Sequence, residues 1–302
     1  MVKNEEKEKK LDFRDQIAKN KTRSVFLLIF VFIVFIVLGG VIALAFQLDV
    51  FAILILATFI SILYVWITYA MCDKIALASV GAKEANKIVH RALYDAVENM
   101  SIASQLPMPR VYIMPGMQIN AFATGKDPQH SVVCVTEGAL EKLNKQELEG
   151  VIGHEMSHVA NYDIRFVTIA AVVVGAISIF SQIFLRSLWF RSSDNNSREG
   201  GNMIFLVIAL VLAILAPIIV KLVQLAISRR REYMADAGSV EFTRYPPGLI
   251  NALKKIEKDH EKINVPDAVA PMFFSDTTKQ RLAEMFQTHP SVEKRIKALE
   301  AM

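Results

Sequence analysis

Four long apolar segments constrain this chain of 302 residues more than any other feature. A helix of about 20 apolar residues is long enough to cross the hydrocarbon core of a bilayer. The first three segments contain no charged side chain, which is rare in the buried helices of soluble proteins. The segments are residues 25–46, 50–71, 166–185 and 203–220, the last extending toward Ile227. The sequence therefore predicts an integral membrane protein with about four transmembrane helices. The third segment contains Ser178, Ser181 and Gln182, so the third and fourth segments could instead line a protein interior.

The placement of lysine and arginine predicts the orientation in the membrane. Residues 1–24 form a basic tail, whereas the turn between the first two segments, residues 47–49, has no basic residue. Basic residues favour the cytoplasmic side of a membrane. We therefore expect the tail and the polar regions 72–165 and 228–302 in the cytoplasm. Arg186, Arg191 and Arg198, between the third and fourth segments, are a weaker opposing signal.

The net charge and the two cysteines argue against a nucleic-acid-binding protein and against a metal site built from cysteines. The net charge of +4 fits a bias of basic residues beside the membrane, and it does not indicate a nucleic-acid partner. Cys72 and Cys134 are the only cysteines, and their spacing is not that of metal ligands. We expect both to be structural.

The polar regions predict a mixture of helices and strands. We expect the tail to be loosely ordered or to form a surface helix, and residues 79–100 to be helical. β-branched and aromatic residues bounded by Pro and Gly predict strands at 110–116 and 131–138, with a short third strand at 119–125. A helix should begin at Asn144, where Glu147 completes a capping box. We also expect a helix over 228–242 and further helices beyond it, interrupted by a loop at 265–276.

The helix that begins at Asn144 contains the motif His154-Glu155-Met156-Ser157-His158. Side chains four residues apart lie on one face of a helix, so both imidazoles can point at the same Zn²⁺. Glu155, beside them, can accept a proton from a water molecule at the site and pass it to a leaving amine. The alternative is an amphipathic helix whose two histidines are satisfied by hydrogen bonds.

A catalytic zinc ion needs a third protein ligand. Asn161 and Ile164 stand where the extended form of the motif requires Gly and His, so the ligand must come from elsewhere. Asp163 would serve if the helix ended and turned back. Glu232 is the better candidate, and Asp236, four residues on, could hold the second ring nitrogen of a histidine ligand. The alternative for Glu232 and Asp236 is a solvated face that pairs with neighbouring arginines.

Four stretches in this order, on a chain with two apolar hairpins, resemble the HtpX family of membrane-embedded zinc endopeptidases. They are Asn-Ala-Phe-Ala-Thr-Gly (120–125), the motif at 154–158, Arg-Glu-Tyr-Met-Ala-Asp-Ala-Gly-Ser (231–239) and Thr-His-Pro-Ser-Val-Glu-Lys-Arg-Ile (288–296). A wider similarity links that family to the CAAX prenyl endopeptidases, although nothing in this sequence indicates a prenylated substrate. Tyr162 departs from the family, whose members often have Gly there.

The resemblance implies that His154, His158 and Glu232 bind one Zn²⁺, that Glu155 is the general base and that Asp236 supports a ligand. It implies a bacterial plasma membrane protein with a cytoplasm-facing site that degrades misfolded or damaged membrane proteins. The fold expected is α+β and mainly helical, with a cytosolic zincin-like catalytic domain carrying a small β-sheet. That domain would comprise residues 72–165 and 228–302, separated by transmembrane hairpin 166–227 and preceded by hairpin 25–71.

The resemblance also suggests residues that contact a polypeptide substrate. Asn120, Ala121, Phe122 and Ala123 would form an edge strand whose backbone pairs with the substrate; the alternative is a simple turn. His289 could donate a hydrogen bond to the oxyanion that develops during hydrolysis, and Arg295 could pair with a carboxylate near the site.

Two other functions are consistent with a zinc-binding membrane protein. A scaffold or sensor would hold zinc in a closed structural site, but the sequence supplies a general base and no cysteine at ligand spacing. A metal transporter would need ionisable residues within its spans, and the first three have none.

Overall fold

The structure is a computed structural model that describes residues 13–45, 48–175, 229–259, 265–266, 269–275 and 290–302. The predicted fourth segment and residues 176–185 of the third lie outside the described residues.

Two long helices, α1 (Phe13–Ala45) and α2 (Val50–Ser79), pack against each other as a hairpin. The Asp49 side chain caps α2 by accepting a hydrogen bond from the Ala52 amide. Residues Ile17–Val37 and Val50–Ser79 are long and apolar enough to cross a membrane. Phe51, Phe59 and Trp66 of α2 are each more than 60% exposed, as side chains that face lipid would be. The first two predicted spans are therefore helices. Residues 13–24 continue into α1, so the described part of the tail is not loosely ordered.

The prediction of a helix over residues 79–100 is wrong in its first half. Gly81 has a φ of +66°, and a short strand, β1 (Lys83–Glu84), follows it. The Asn86 side chain then accepts hydrogen bonds from the amides of Ile88 and Val89, which forms a turn before α3 (Arg91–Ser104) begins. Ile88 is 88% exposed, so its place in the apolar pattern did not reflect burial.

The three predicted strands are present and form a mixed sheet with β1. They are β2 (Arg110–Met114), β3 (Ala121–Gly125) and β4 (Ser131–Thr136). The order is β1-β2-β4-β3; β2 and β4 run parallel, and the other neighbours antiparallel. Strand β3 therefore lies at one edge of this sheet, with Phe122 opposite Cys134.

Both faces of the sheet are buried because alternate side chains enter two apolar clusters. Ala121, Ala123, Val133 and Val135 join the main core beneath helix α5, whereas Phe122 and Cys134 pack with the C-terminal end of α2. Cys134 and Cys72 are buried and form no disulfide, in agreement with the structural role expected of them. Burial raises the pKa of the Cys134 thiol, which keeps it neutral.

Helix α5 (Lys145–Ala160) follows the short α4 (Glu137–Lys142) and lies at the centre of the domain. The predicted capping box is present: the Asn144 side chain accepts from the Glu147 amide, and the Glu147 carboxylate accepts from the Asn144 amide. After a turn at residues 161–162, residues 163–175 form α6. Helix α6 packs on α1, where Ile169 shares an apolar cluster with Leu27.

Three further α-helices follow in the described residues: α7 (Arg229–Thr243), α8 (Pro246–Lys258) and α9 (Val292–Glu300), with a 3₁₀ helix at Ala270–Met272 between the last two. Helix α7 lies so close to α5 that a Cβ on Gly238 would stand 2.3 Å from Ser157 Oγ. A glycine is therefore required where the two helices cross. The described residues thus form a mainly helical α+β protein with a small mixed sheet and two helices fit for a membrane.

Candidate metal centre and active site

Helix α5 aims two imidazoles at one point. His154 and His158 are separated by one helical turn, and their Nε2 atoms lie 3.2 Å apart. His154 is almost fully buried, and His158 is partly buried. The i, i+4 spacing predicts this convergence.

Helix α7 brings Glu232 to the same point. One carboxylate oxygen lies 3.6 Å from His154 Nε2, and the other lies 3.6 Å from His158 Nε2. A tetrahedral ion with bonds of about 2.0–2.1 Å would hold its ligand atoms about 3.3 Å apart. The three side chains therefore fit a zinc ion as they stand, and they form a possible metal-binding group among the described residues.

The opposite nitrogen of His154 is held from the C-terminal helices. Asp236 Oδ1 lies 3.0 Å from His154 Nδ1, and Arg295 binds both oxygens of Asp236. Burial raises the pKa of Asp236, but the charge of Arg295 and hydrogen bonds from His154 and Arg295 outweigh it and lower the pKa to about 2. An ionised carboxylate here accepts a hydrogen bond from a proton on His154 Nδ1, which would leave Nε2 available to a metal ion.

His158 is held in the same way, but by Asp163. Asp163 Oδ2 lies 3.0 Å from His158 Nδ1, on the side of the ring opposite the point where the two Nε2 atoms meet. This placement gives Asp163 an orienting contact and leaves Glu232 as the carboxylate beside both Nε2 atoms. The contact was not foreseen from the sequence, although the argument made for Asp236 applies equally to an aspartate just after the histidine.

The carboxylates of Asp236 and Asp163 favour the binding of a cation between the two histidines. With a proton on each Nδ1, both Nε2 atoms present lone pairs to each other at 3.2 Å, beside a third carboxylate. A cation relieves this repulsion. In the metal-free protein a proton does so: burial lowers the pKa of His158, but the hydrogen bond to Asp163 and the charges of Glu232, Asp163 and Glu155 raise it to about 9.

Glu155 lies beside the three candidate ligands in the same pocket. It is buried, and Ala123 of β3 lines the same pocket. Burial raises the pKa of Glu155, and the nearby charge of Glu232 adds to that rise against the opposing effect of the histidines. A carboxyl with a raised pKa is better matched to taking and returning a proton near neutral pH.

One of the four predicted substrate residues lines this pocket, and the other three lie against a segment of the chain itself. Residues 121–125 form a strand rather than a turn. The Asn120 side chain exchanges two hydrogen bonds with the backbone of Ser275, and Ala121 O accepts from the Phe274 amide. Phe122 packs on Phe273, so Ala123 is the part of the strand that reaches the pocket. His289 lies outside the described residues.

Residues 86–302 match the model of peptidase family M48. The chain belongs to peptidase family M48. Two relatives, each named Protease HtpX homolog, extend the likeness beyond those residues. The one from Thermoanaerobacter pseudethanolicus is 46% identical over 83% of this chain and 84% of its own length. The one from Lactobacillus helveticus is 40% identical over 95% of this chain and 99% of its own length.

The M48 assignment confirms the resemblance to the HtpX family, and the chain is a membrane-bound metalloendopeptidase. Among solved structures, the crystal structure of S. mikatae Ste24p is similar to 95% of this chain and 67% of its own, with 17% identity and a TM-score of 0.46. The M48 match begins at residue 86, so α1 and α2 lie outside it.

Proposed function

We propose that this M48 peptidase holds one Zn²⁺ through His154, His158 and Glu232 and cleaves misfolded or damaged membrane proteins. The observation that carries the proposal is the meeting of three side chains. The two Nε2 atoms lie 3.2 Å apart, each lies 3.6 Å from a different oxygen of Glu232, and the other nitrogen of each imidazole is bound to a buried aspartate. Structural zinc sites usually contain cysteine ligands, and no cysteine lies among the residues that line this pocket.

The chemistry divides between the metal and Glu155. When bound, zinc polarises the scissile carbonyl and acidifies water. Glu155 takes a proton from the attacking water and returns it to the leaving amine, and its raised pKa suits both transfers. Arg231 also lines the pocket. Because the site is buried, the charges that develop during hydrolysis would interact more strongly with Glu155 and Arg231 than they would in water.

Substrate binding follows from the position of β3 at the edge of the sheet. We propose that an extended polypeptide pairs with the backbone of Asn120–Ala123, as the sequence predicts. The pairing begins at Ala123, which lines the pocket with Glu155, and its extension to Ala121 requires Phe274 to move away. The side chain of Asn120 would then lose its hydrogen bonds to Ser275. Recognition through backbone groups tolerates many sequences, which suits an enzyme that removes damaged proteins.

The proposed topology is that of a bacterial plasma membrane protein with four transmembrane helices. The hairpins would be residues 25–71 and 166–227, and the cytosolic domain would comprise 72–165 and 228–302. Lys19 and Arg23 are exposed at the start of α1, which supports a cytoplasmic N-terminus. The candidate metal site lies beside this end of α1, which supports an active site that faces the cytoplasm.

The test is proteolysis by protein purified in detergent, with unfolded casein as substrate. We expect cleavage to stop when a chelator removes the metal and to return when Zn²⁺ is added in an equimolar amount. Cleavage by fully metal-free protein would contradict the proposal. Tight zinc binding with no cleavage of any unfolded substrate would favour a scaffold or sensor instead.

A further inference from the structure

A buried asparagine on the first membrane helix contacts the metal site from outside the M48 match. Asn20 belongs to α1 and is only 1% exposed. Among the described residues, its helix is one of two that could cross a membrane, and its amide lies near the start of the candidate span. A buried amide must form hydrogen bonds, because an unsatisfied one destabilises the fold.

Both hydrogen bonds of the Asn20 amide go to the turn that follows the zinc-binding helix. Asn20 Nδ2 donates to the carbonyl oxygen of Asn161 at 3.0 Å and to Asp163 Oδ1 at 2.6 Å. Asn161 is the C-cap of α5, and Asp163 begins α6. One side chain of α1 therefore joins the end of one helix to the start of the next.

The contact continues to the metal through Asp163. While Oδ1 accepts from Asn20, Oδ2 lies 3.0 Å from His158 Nδ1. Arg231 is a more distant partner of the same oxygen: its Nε atom lies 3.5 Å from Asp163 Oδ1. With one oxygen held by Asn20, the carboxylate cannot turn without breaking a short buried hydrogen bond. The direction of the other oxygen, and with it the ring of His158, is thereby fixed.

A neighbouring contact holds the same turn. Tyr162 has a φ of +59°, a left-handed conformation that favours glycine. Lys21 Nζ lies 4.1 Å from the centre of the Tyr162 ring, within the range of a cation–π interaction. Two consecutive residues of α1, Asn20 and Lys21, therefore contact the turn at residues 161–163.

We propose that Asn20 is a positioning residue for the zinc ligand His158, acting through Asp163. The inference rests on the proposed zinc site. The first membrane helix then contributes to the metal centre itself as well as anchoring the domain, and the site is incomplete without it. A purely structural Asn20 would affect the stability of the fold but would leave zinc affinity and ligand geometry unchanged.

The experiment measures zinc affinity in full-length protein with Asn20 replaced. Asn20→Leu removes the donor, and Asn20→Asp keeps the size but places a second carboxylate against Asp163. Ser24→Ala is the matched control, because Ser24 is equally buried one turn along α1 and bonds only to the Asn20 carbonyl. Zinc dissociation constants come from competition with a chromophoric chelator, and Co²⁺ substitution reports ligand geometry through its visible absorption bands.

Loss of an outer contact to a metal ligand typically weakens metal binding about 10–100-fold. We expect the zinc dissociation constant to rise at least about tenfold in both Asn20 variants, with altered Co²⁺ bands, while Ser24→Ala matches the wild type. Asn20→Ser replaces either variant that lacks a cooperative thermal transition. Wild-type affinity and Co²⁺ bands in a folded Asn20 variant would overturn the proposal. His158→Ala separates the two inferences: if it too binds zinc as the wild type does, the proposed zinc site itself fails.

Discussion

Arg295 binds both carboxylate oxygens of Asp236, with Nε 2.9 Å from Oδ2 and Nη2 2.6 Å from Oδ1. Both side chains are at least 98% buried, and Asp236 in turn holds His154. A two-pronged, buried ion pair of this kind fixes orientation as well as charge. The metal centre is therefore held from two directions: from α9 through His154, and from α1 through His158.

Replacing Arg295 by Gln should strongly destabilise the protein. The change leaves the Asp236 charge buried without its main partner, and breaking a buried ion pair in this way costs about 3–5 kcal/mol. Thermal unfolding in detergent should show a lower midpoint, and zinc affinity should fall. Lys297→Gln, exposed on the same helix, is the control and should behave as the wild type. Equal midpoints for the two variants would refute the importance of the pair.

Zinc affinity should rise with pH up to about pH 9. Zinc binds the neutral imidazole, whereas His158 of the metal-free protein carries a proton below its raised pKa of about 9. The proton and the metal compete, so affinity should increase by up to about tenfold per pH unit and then level off. Chelator competition between pH 6 and pH 10 measures this. In Asp163→Asn the plateau should begin at lower pH, because the carboxylate that raises the pKa is gone. A wild-type affinity that is flat above pH 7 would contradict the prediction.

Glu232 and Asp163 should differ when each is replaced by Ala. Glu232→Ala removes a proposed ligand, so zinc should be lost during purification. Asp163→Ala removes only the contact behind His158, so a weakened site, by about 10–100-fold, should still fill at high zinc concentration. Metal analysis after dialysis distinguishes the two. Glu241→Ala, exposed on the same helix as Glu232, is the control. Full zinc content in Glu232→Ala would make Asp163 a candidate ligand again.

Gly238→Ala should separate the two helices that carry the ligands. The added Cβ would stand 2.3 Å from Ser157 Oγ and 2.7 Å from Ser157 Cβ, so α7 must move away from α5. We expect a lower unfolding midpoint and weaker zinc binding. Adding Ser157→Gly removes both clashing atoms and should restore part of each loss. A double variant no better than Gly238→Ala would show that this contact does not set the helix spacing.

Local patterns in the sequence predict much of this fold and the part of the site that lies on helix α5, namely His154, Glu155 and His158. The capping box at Asn144, the strands and the pairing of two histidines on one face all depend on residues close in the chain. The error at residues 79–100 has a local cause as well. Apolar spacing there suggested a helix, but the Asn86 side chain bonds the amides of Ile88 and Val89 and so favours a turn.

The contacts that the sequence does not predict are of two kinds. Asn20 and Asp163 are 143 positions apart, and nothing near Asn20 indicates that its amide would turn toward a metal site. Asp163 and His158 are close in the chain, but their spacing suits a third ligand as well as an orienting contact. Only the fold shows that its carboxylate reaches Nδ1 rather than the metal side of the ring.

In the proposed mechanism, Glu155 acts on water at the zinc site but is not itself a zinc ligand. The most direct test measures zinc content and casein cleavage together for the wild type and Glu155→Gln. We expect the variant to keep the wild-type zinc content and to lose cleavage by at least about 10²–10⁴-fold, the contribution typical of a positioned acid–base group. Wild-type cleavage by a zinc-loaded Glu155→Gln protein would contradict the account.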